Sequence, residues 1–436
     1  MSNHSYPCRA GGEIGRAQVA QAEACGLEPE PAMNPILLKP AGDGCSQVVV
    51  NGRVWKTMAA REYYTHVPAL RTTVLDAYSD LAKRFDVIVI EGAGSVSELN
   101  LREHDVVNLW LVTTLGAPWL LVADIERGGV FGSVVGTVQL LTPAERALFQ
   151  GYAINKFRGD RSLFDDGVGL LEAKTGFPCL GVFPYIESVH LDPEDSLAVA
   201  TRPTAPAPPG ARIAIVRFPR LSNATDFRLL TWADWITSAP AGAYDYVILP
   251  GSKNTLLDLV WMRENGLADW VVAQHRQGAT ILGICGGYQM LGHRIADPHD
   301  MEAGGAADGL GLLPVTTTLT GEKRTRAVAA RTARGVEFGG YEIHLGQTTL
   351  LGSGALPPFA TLEDGSHDGA VAPGVVGTYL HGALEHPAVC AELFGIDAPV
   401  VASKAQGYEQ LADWFEGNAR DLGALLSKIN HEGMKK

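Results

Sequence analysis

The stretch Ile281-Leu282-Gly283-Ile284-Cys285-Gly286-Gly287-Tyr288-Gln289 carries an apolar run straight into G-x-C-x-G and then into a helix-like segment. A sharp strand-to-helix corner of this kind needs small flanking residues and holds its nucleophile exposed at the turn. It also puts the thiol at a helix N-terminus, where the dipole and the free N–H groups favour thiolate. Such a nucleophile requires a base, and His381 in GTYLHG ends another apolar run further along. The run LPGSKNT (249–255) has the same strand-to-glycine form, so the backbone N–H groups at Gly251 and Gly286 are candidates for stabilising an oxyanion. A buried cysteine is by default a small hydrophobe; three such motifs together point instead to acyl transfer from an amide through a thioester. The remaining cysteines, Cys8, Cys25, Cys45, Cys179 and Cys390, show no CxxC pair and no neighbouring His pair, which argues against a zinc site and against a disulfide framework.

A second set of residues suits phosphate chemistry. DVIVIEGAG (86–94) ends an apolar run in Glu91 and a glycine turn, a place for a Mg²⁺-binding carboxylate at the carboxyl edge of a sheet. Asp124 in VADIERGG and Asn155-Lys156 in INKFRGD occupy equivalent ends. Strand-end Asp and Asn also cap helices, but the repetition over three runs favours a nucleotide site.

These residues need elements to hold them. In the first half, the continuous apolar runs 86–94, 118–129, 151–160 and 179–184 suit strands buried on both faces, and 62–84 and 136–150 read as helices between them, the βαβ alternation of a doubly wound fold. TRPTAPAPPG (201–210) is an extended Pro/Ala linker. The pattern restarts with 212–218, 245–255, 279–285 and 375–382, and 407–429 reads as a closing amphipathic helix. The division is therefore 1–200, linker 201–210, and 211–436. With 436 residues, 46% hydrophobic and 19% charged, the chain is long enough for two or three cores. Lys+Arg 35 against Asp+Glu 48, a net charge of -13, argues against a nucleic-acid footprint. No basic-then-apolar leader and no membrane-length apolar stretch are visible, which places the protein in the cytoplasm, free of the membrane.

The second half resembles the class I glutamine amidotransferase domain, which implies Cys285 as nucleophile and His381 as general base and acid. The wider class has a glutamate two residues after the histidine; here that position is Ala383, and Glu385 is at best a weak substitute. Taken with GGEIGRAQ (11–18), MNPILLKP (33–40), SNATDF (222–227) and YEIHLG (341–346), the motifs make the whole chain similar to the cobyric acid synthase family of cobalamin biosynthesis. The resemblance implies an α/β fold: an N-terminal P-loop NTPase-like, dethiobiotin synthetase-like parallel-sheet domain, here incomplete, followed by the amidotransferase domain. It implies ATP- and glutamine-dependent amidation of the b, d, e and g carboxylates of adenosylcobyrinic acid a,c-diamide, with Mg²⁺ and ATP. By the family pattern Glu91 would hold the metal, Asp124 would act near the phosphates or the activated carboxylate and Asn155 would contact the nucleotide base, while Glu13, Arg16 and Gln18 would face the corrinoid. The partners implied are glutamine, ATP and the corrinoid, with a homo-oligomer compatible. Cobyrinate a,c-diamide synthase shares the plan, but GGEIGRAQ and MNPILLKP point away from it.

One departure is large: no G-x-x-x-x-G-K-[ST] occurs in the sequence. The chain opens on residues that resemble the stretch after the second strand of the family, and a start codon assigned too far downstream is the expected cause. The phosphate cradle would then be missing, and 86–94 would be left with unpaired edges. The alternative function is a stand-alone glutaminase or a non-catalytic remnant.

Overall fold

Strands buried on both faces read as continuous apolar runs, and Ile213–Val216, Tyr246–Leu249, Thr280–Ile284 and Val375–Thr378 do so in the computed structural model, which describes residues 4–9, 11–42, 44–186, 206–352, 354–397 and 404–420. The chain divides into two compact units, Met1–Ala60 with Asp192–Val401, and Arg61–Leu191 with Ala402–Lys436.

In the first unit a six-stranded sheet runs in the order Asp234–Ile236, Ile213–Val216, Tyr246–Leu249, Thr280–Ile284, Val375–Thr378, Ala370–Ala372; all pairings are parallel except the last. The parallel strands therefore end at one edge, and the residues that follow them there include Leu221–Ser222, Gly251, Cys285 and His381. Helices Thr255–Glu264 and Leu267–Arg276 connect the third and fourth strands, and Val271, Leu259 and Met262 pack into the core with Ile215, Ile248 and Leu282. A long antiparallel hairpin, Val315–Thr332 with Glu337–Leu350, slips register between Leu319 and Arg324. It is absent from the sequence reading, because its threonines and charges blur the alternation that would signal a half-buried ribbon.

The sequence division placed 1–60 with the nucleotide half, whereas by contacts these residues group with the amidotransferase half. The reason is local: the two-stranded sheet of Ser5–Pro7 and Glu13–Gly15 and the helix Arg16–Ala24 pair their buried charges with residues of the second half, as detailed below. The meander Ile36–Gly42, Cys45–Val50, Arg53–Ala59 completes this region.

In the second unit, Trp119–Asp124, Phe149–Phe157 and Cys179–Pro184 form a parallel sheet. It is covered by Val130–Leu140 and Asp165–Thr175 through Val134, Val138, Tyr152, Ile154 and Leu171. The helix expected over 62–84 is Ala60–Thr65 followed by Val67–Ala82, broken where Pro68 enters the first turn. The helix expected over 136–150 is instead Val130–Leu140 and Pro143–Leu148, the second opened by a Thr142–Glu145 capping box. Of the closing helix, Lys404–Asn418 is seen and packs Trp414 and Phe415 on Phe183; 421–429, like linker residues 201–205, lie outside the described residues.

The run 86–94 is not a strand. It has no ladder partners among the described residues, and most of its apolar side chains face solvent, Val89 being 92% exposed. The sheet edge at Trp119–Asp124 shares this exposure, with Val122 at 59%. A β-branched run becomes a strand only when a neighbour accepts its backbone hydrogen bonds, and none does so here.

Candidate active site

Cys285 stands between the strand Thr280–Ile284 and the helix Gly286–Leu291 with φ 52 and ψ -108. A non-glycine residue in such a conformation costs about 1–3 kcal/mol and persists only where its surroundings over-determine it. They do so here: the Cys285 N–H donates to Thr378 O at 2.8 Å, extending the ladder to the histidine strand by one bond. A Cβ on Gly287 would run into the carbonyl of Leu249, and one on Gly286 would come within 2.9 Å of Ser252 N. The glycines are thus required by the close approach of the 249–252 turn, and the first-turn N–H groups after Cys285 lack intrahelical acceptors. Gly251 lies in the same turn, where a Cβ would sit 3.0 Å from His381 Cε1. The structure brings Cys285, Gly286, Gly251 and His381 to one place.

His381 is fully buried, and its backbone exchanges both hydrogen bonds with Tyr341, at 3.0 and 2.9 Å. Its Nδ1 donates to Asp226 Oδ2 at 2.7 Å, and the other oxygen of that carboxylate accepts the N–H of Gly382 at 2.7 Å. Nε2 has no hydrogen-bond partner among the described residues. Burial works against charge on this imidazole, yet the Asp226 carboxylate and, after it, Cys285 outweigh it and push the pKa up to about 10. A buried, unpartnered ring nitrogen whose basicity is raised by a carboxylate on one side and a thiol on the other is built to accept and return a proton.

Asp226 was missed by the sequence reading. It sits in SNATDF, in the 3₁₀ turn Ala224–Phe227 that follows Leu221–Ser222 at the same sheet edge, and Asn223 at φ 52 turns the chain into it. Glu385 is directed elsewhere: its carboxylate lies 3.5 Å from Arg16 Nη2 and 3.3 Å from Arg228 Nε.

Beyond Cys285, Gln289 is buried, accepting from Thr255 Oγ1 at 3.1 Å and donating to Tyr379 OH at 3.3 Å; Tyr379 OH also bonds Thr348 at 2.6 Å and its ring stacks on His344 at 3.8 Å. Tyr379 and His344 line a cavity of about 640 Å³ together with Lys323, Arg324, Glu342 and Asp368. Burial pushes the Asp368 carboxyl up to about 7 despite the hydroxyl of Thr378.

The motif GGEIGRAQ does not present its charged side chains to solvent. Glu13 is buried between Ser5 Oγ at 2.7 Å, Lys39 Nζ at 2.8 Å and Lys323 Nζ. Burial alone would raise its pKa, but the two ammonium groups hold it far below the usual carboxylate range. Arg16 is buried as well, and the half-buried Gln18 folds its amide back towards Gly15.

In the second unit, Asp124 and Asn155 are cross-strand neighbours at the carboxyl ends of their strands. Lys156 Nζ binds Asp124 at 2.9 Å and lies 3.7 Å from Glu126, and this bond holds the Asp124 pKa down. Glu91 stands on the exposed stretch outside the sheet. Among the described residues no cluster of three or more His, Cys, Asp or Glu side chains could hold a metal ion. At Asp124 the Lys156 ammonium already occupies the place of a cation.

Among the described residues no helix is long and apolar enough to cross a membrane. The family model described as CobB/CobQ-like glutamine amidotransferase domain matches residues 212–389, and that described as AAA domain matches 45–192. Cobyric acid synthase of Parabacteroides distasonis is 44% identical over 94% of this chain and 88% of its own length. That of Rhodococcus jostii is 42% identical over 98% and 87%, and that of Bacteroides fragilis 45% over 89% and 81%.

Proposed function

This chain belongs to the cobyric acid synthase family, and we propose that it couples glutamine hydrolysis at Cys285 to ATP-dependent amidation of the b, d, e and g carboxylates of adenosylcobyrinic acid a,c-diamide in the cytoplasm. The observation that carries the first half of this reading is the buried line from Asp226 through His381 towards Cys285. Cys285 sulfur attacks the glutamine carboxamide carbon. The oxyanion develops against the backbone N–H groups at Gly286 and Gly251, and His381 delivers the proton with which ammonia leaves. Neutral His381 then takes a proton from water, which displaces the thiolate from the thioester and releases glutamate. Asp226 is the positioning residue that fixes the imidazole with Nδ1–H towards itself. Arg324 gives the adjoining cavity a cationic group for the amino acid's α-carboxylate, Lys323 there being paired with Glu13.

In the other half, ATP phosphorylates a corrinoid carboxylate to an acyl phosphate, and ammonia displaces phosphate to give the amide. Asp124 and Asn155, side by side at the sheet edge, are assigned to the nucleotide. Mg²⁺ at Glu91 rests on the family resemblance alone, and no step is routed through it. Glu13, Arg16 and Gln18 carry a corrinoid assignment by the same resemblance, which the burial of Glu13 and Arg16 does not favour.

The test is to incubate the purified chain with glutamine alone, and with glutamine, ATP, Mg²⁺ and the a,c-diamide, measuring ammonia, ADP and corrinoid mass. Stepwise corrinoid amidation with matching ADP supports the synthase reading. Glutaminase with no corrinoid-dependent ADP overturns its second half, and no ammonia in either mixture overturns its first.

A further inference from the structure

Glu385, Arg16, Tyr6 and Tyr341 have no role in the chemistry above, yet they form one continuous, largely buried chain of contacts ending on His381. The Glu385 carboxylate is clamped by Arg16 and Arg228. The Arg16 guanidinium lies over the Tyr6 ring, 5.1 Å from its centroid. Tyr6 packs on Tyr341 at 4.7 Å, and Tyr341 stacks on the His381 imidazole at 5.3 Å with 21° between the planes. Tyr341 is also the residue whose backbone pairs with that of His381. Arg228 lies two residues beyond Asp226, so the path returns to the carboxylate that holds Nδ1.

The stacking matters physically because Asp226 fixes His381 at one atom only, leaving rotation about the Nδ1···Oδ2 line as the remaining freedom of the ring. A flat aromatic face parallel to the imidazole removes that freedom and attracts the cationic form through its quadrupole. Tyr341 in turn is kept in place by Tyr6, and Tyr6 by Arg16. An arginine buried over a ring needs a carboxylate partner, which Glu385 supplies.

We propose that Arg16, Tyr6, Tyr341 and Glu385 are positioning residues of the glutaminase centre, so that the segment 5–24 sets the plane of the His381 ring. This reassigns Arg16 from corrinoid contact to support of the base, and it rests on the reading of Cys285 and His381 as the glutaminase pair.

The test compares the unmodified chain with Arg16→Gln, Glu385→Gln, Tyr341→Leu and Tyr341→Phe, taking Cys285→Ala as reference. Two readouts are used: kcat and KM for glutamine hydrolysis, and the pH dependence of iodoacetamide alkylation at Cys285, followed by mass spectrometry of its peptide because Cys25 and Cys45 are not buried. A sub-ångström loss of alignment is worth roughly 10- to 100-fold in rate. Arg16→Gln, Glu385→Gln and Tyr341→Leu should therefore each lower kcat by about that factor with little change in KM, and should alter the alkylation profile. Tyr341→Phe keeps the face and should behave as the parent. The Arg16→Gln/Glu385→Gln double variant should lose less than the product of the two single losses, since the Arg16–Glu385 pair is common to both. Parental kcat and alkylation in Glu385→Gln, a change of nearly equal volume, would overturn the proposal. If the unmodified chain alkylates Cys285 no faster than Cys25 and releases no ammonia, it is the glutaminase reading that fails.

Discussion

Replacing Asp226 by Asn separates orientation from charge at the base. One carboxylate oxygen accepts the Gly382 N–H and the other accepts from His381 Nδ1, each at 2.7 Å. An asparagine has a single oxygen. If that oxygen stays on Gly382, the amide NH₂ faces Nδ1 and forces it to accept, so the proton moves to Nε2, which can no longer take one from the thiol. If the amide flips, NH₂ and Gly382 N–H become opposed buried donors, at about 1–3 kcal/mol. The first arrangement wins, and glutaminase kcat/KM should fall by about 10²–10⁴-fold, the range for a lost acid–base function. The charge term has its own signature. Holding His381 at about 10 instead of 6.5 is at most about 5 kcal/mol of preference for imidazolium in this fully buried site. A raised pKa stabilises the fold fully below 6.5, and that contribution disappears as pH climbs through 10. The stability gap between the parent and Asp226→Asn should therefore be widest near pH 6 and narrow steadily towards pH 10, measured by urea unfolding at a series of pH values. A loss of activity under about tenfold, or a stability gap that grows with pH, would refute the assignment.

Cys285→Ala should abolish ammonia release from glutamine, while amidation driven by added ammonium salt, if the synthase half is active, should persist. Cys8 and Cys390, whose thiols burial pushes up to about 12, should resist iodoacetamide at pH 8 under conditions that label Cys285, as peptide mass spectrometry would read. Arg324→Gln should raise the KM for glutamine about tenfold, the worth of one charge-assisted contact, with kcat little changed; a kcat effect without a KM effect would remove Arg324 from the substrate pocket. Val89→Lys should reduce self-association in light scattering and leave glutaminase intact, because the exposed apolar run 86–90 is a hydrophobic surface that invites association.

The corner that holds Cys285 was legible in the sequence because a strand-to-helix elbow is local: Gly283, Cys285, Gly286 and Gly287 specify it within a few residues. Asp226 was not, because it meets His381 across 155 residues through a 3₁₀ turn whose place depends on strand order. The Glu13 cluster is more distant still, 310 residues separating Lys323 from the acid it neutralises. At 86–94 the apolar pattern points to a strand and the structure has none, since the ladder that makes a strand lies outside the run itself.

The position of Ala383 explains why the carboxylate had to come from so far away. After His381 the chain passes through Gly382 at φ 82 into the turn Ala383–Glu385, which drives Ala383 into an apolar cluster with Leu380, Val389 and Phe338. A glutamate there would bury its charge against aliphatic side chains, at a cost of several kcal/mol. Two residues later the turn has rotated Glu385 away from the imidazole towards Arg16 and Arg228, which neutralise it. The histidine thus meets one carboxylate with a fixed geometry from Asp226, while the nearer carboxylate in sequence is committed to holding Arg16. Changing the residue two places after the histidine would therefore alter the packing under the imidazole, and in this chain two tasks are separated: Ala383 fills the core and Asp226 holds the ring at Nδ1.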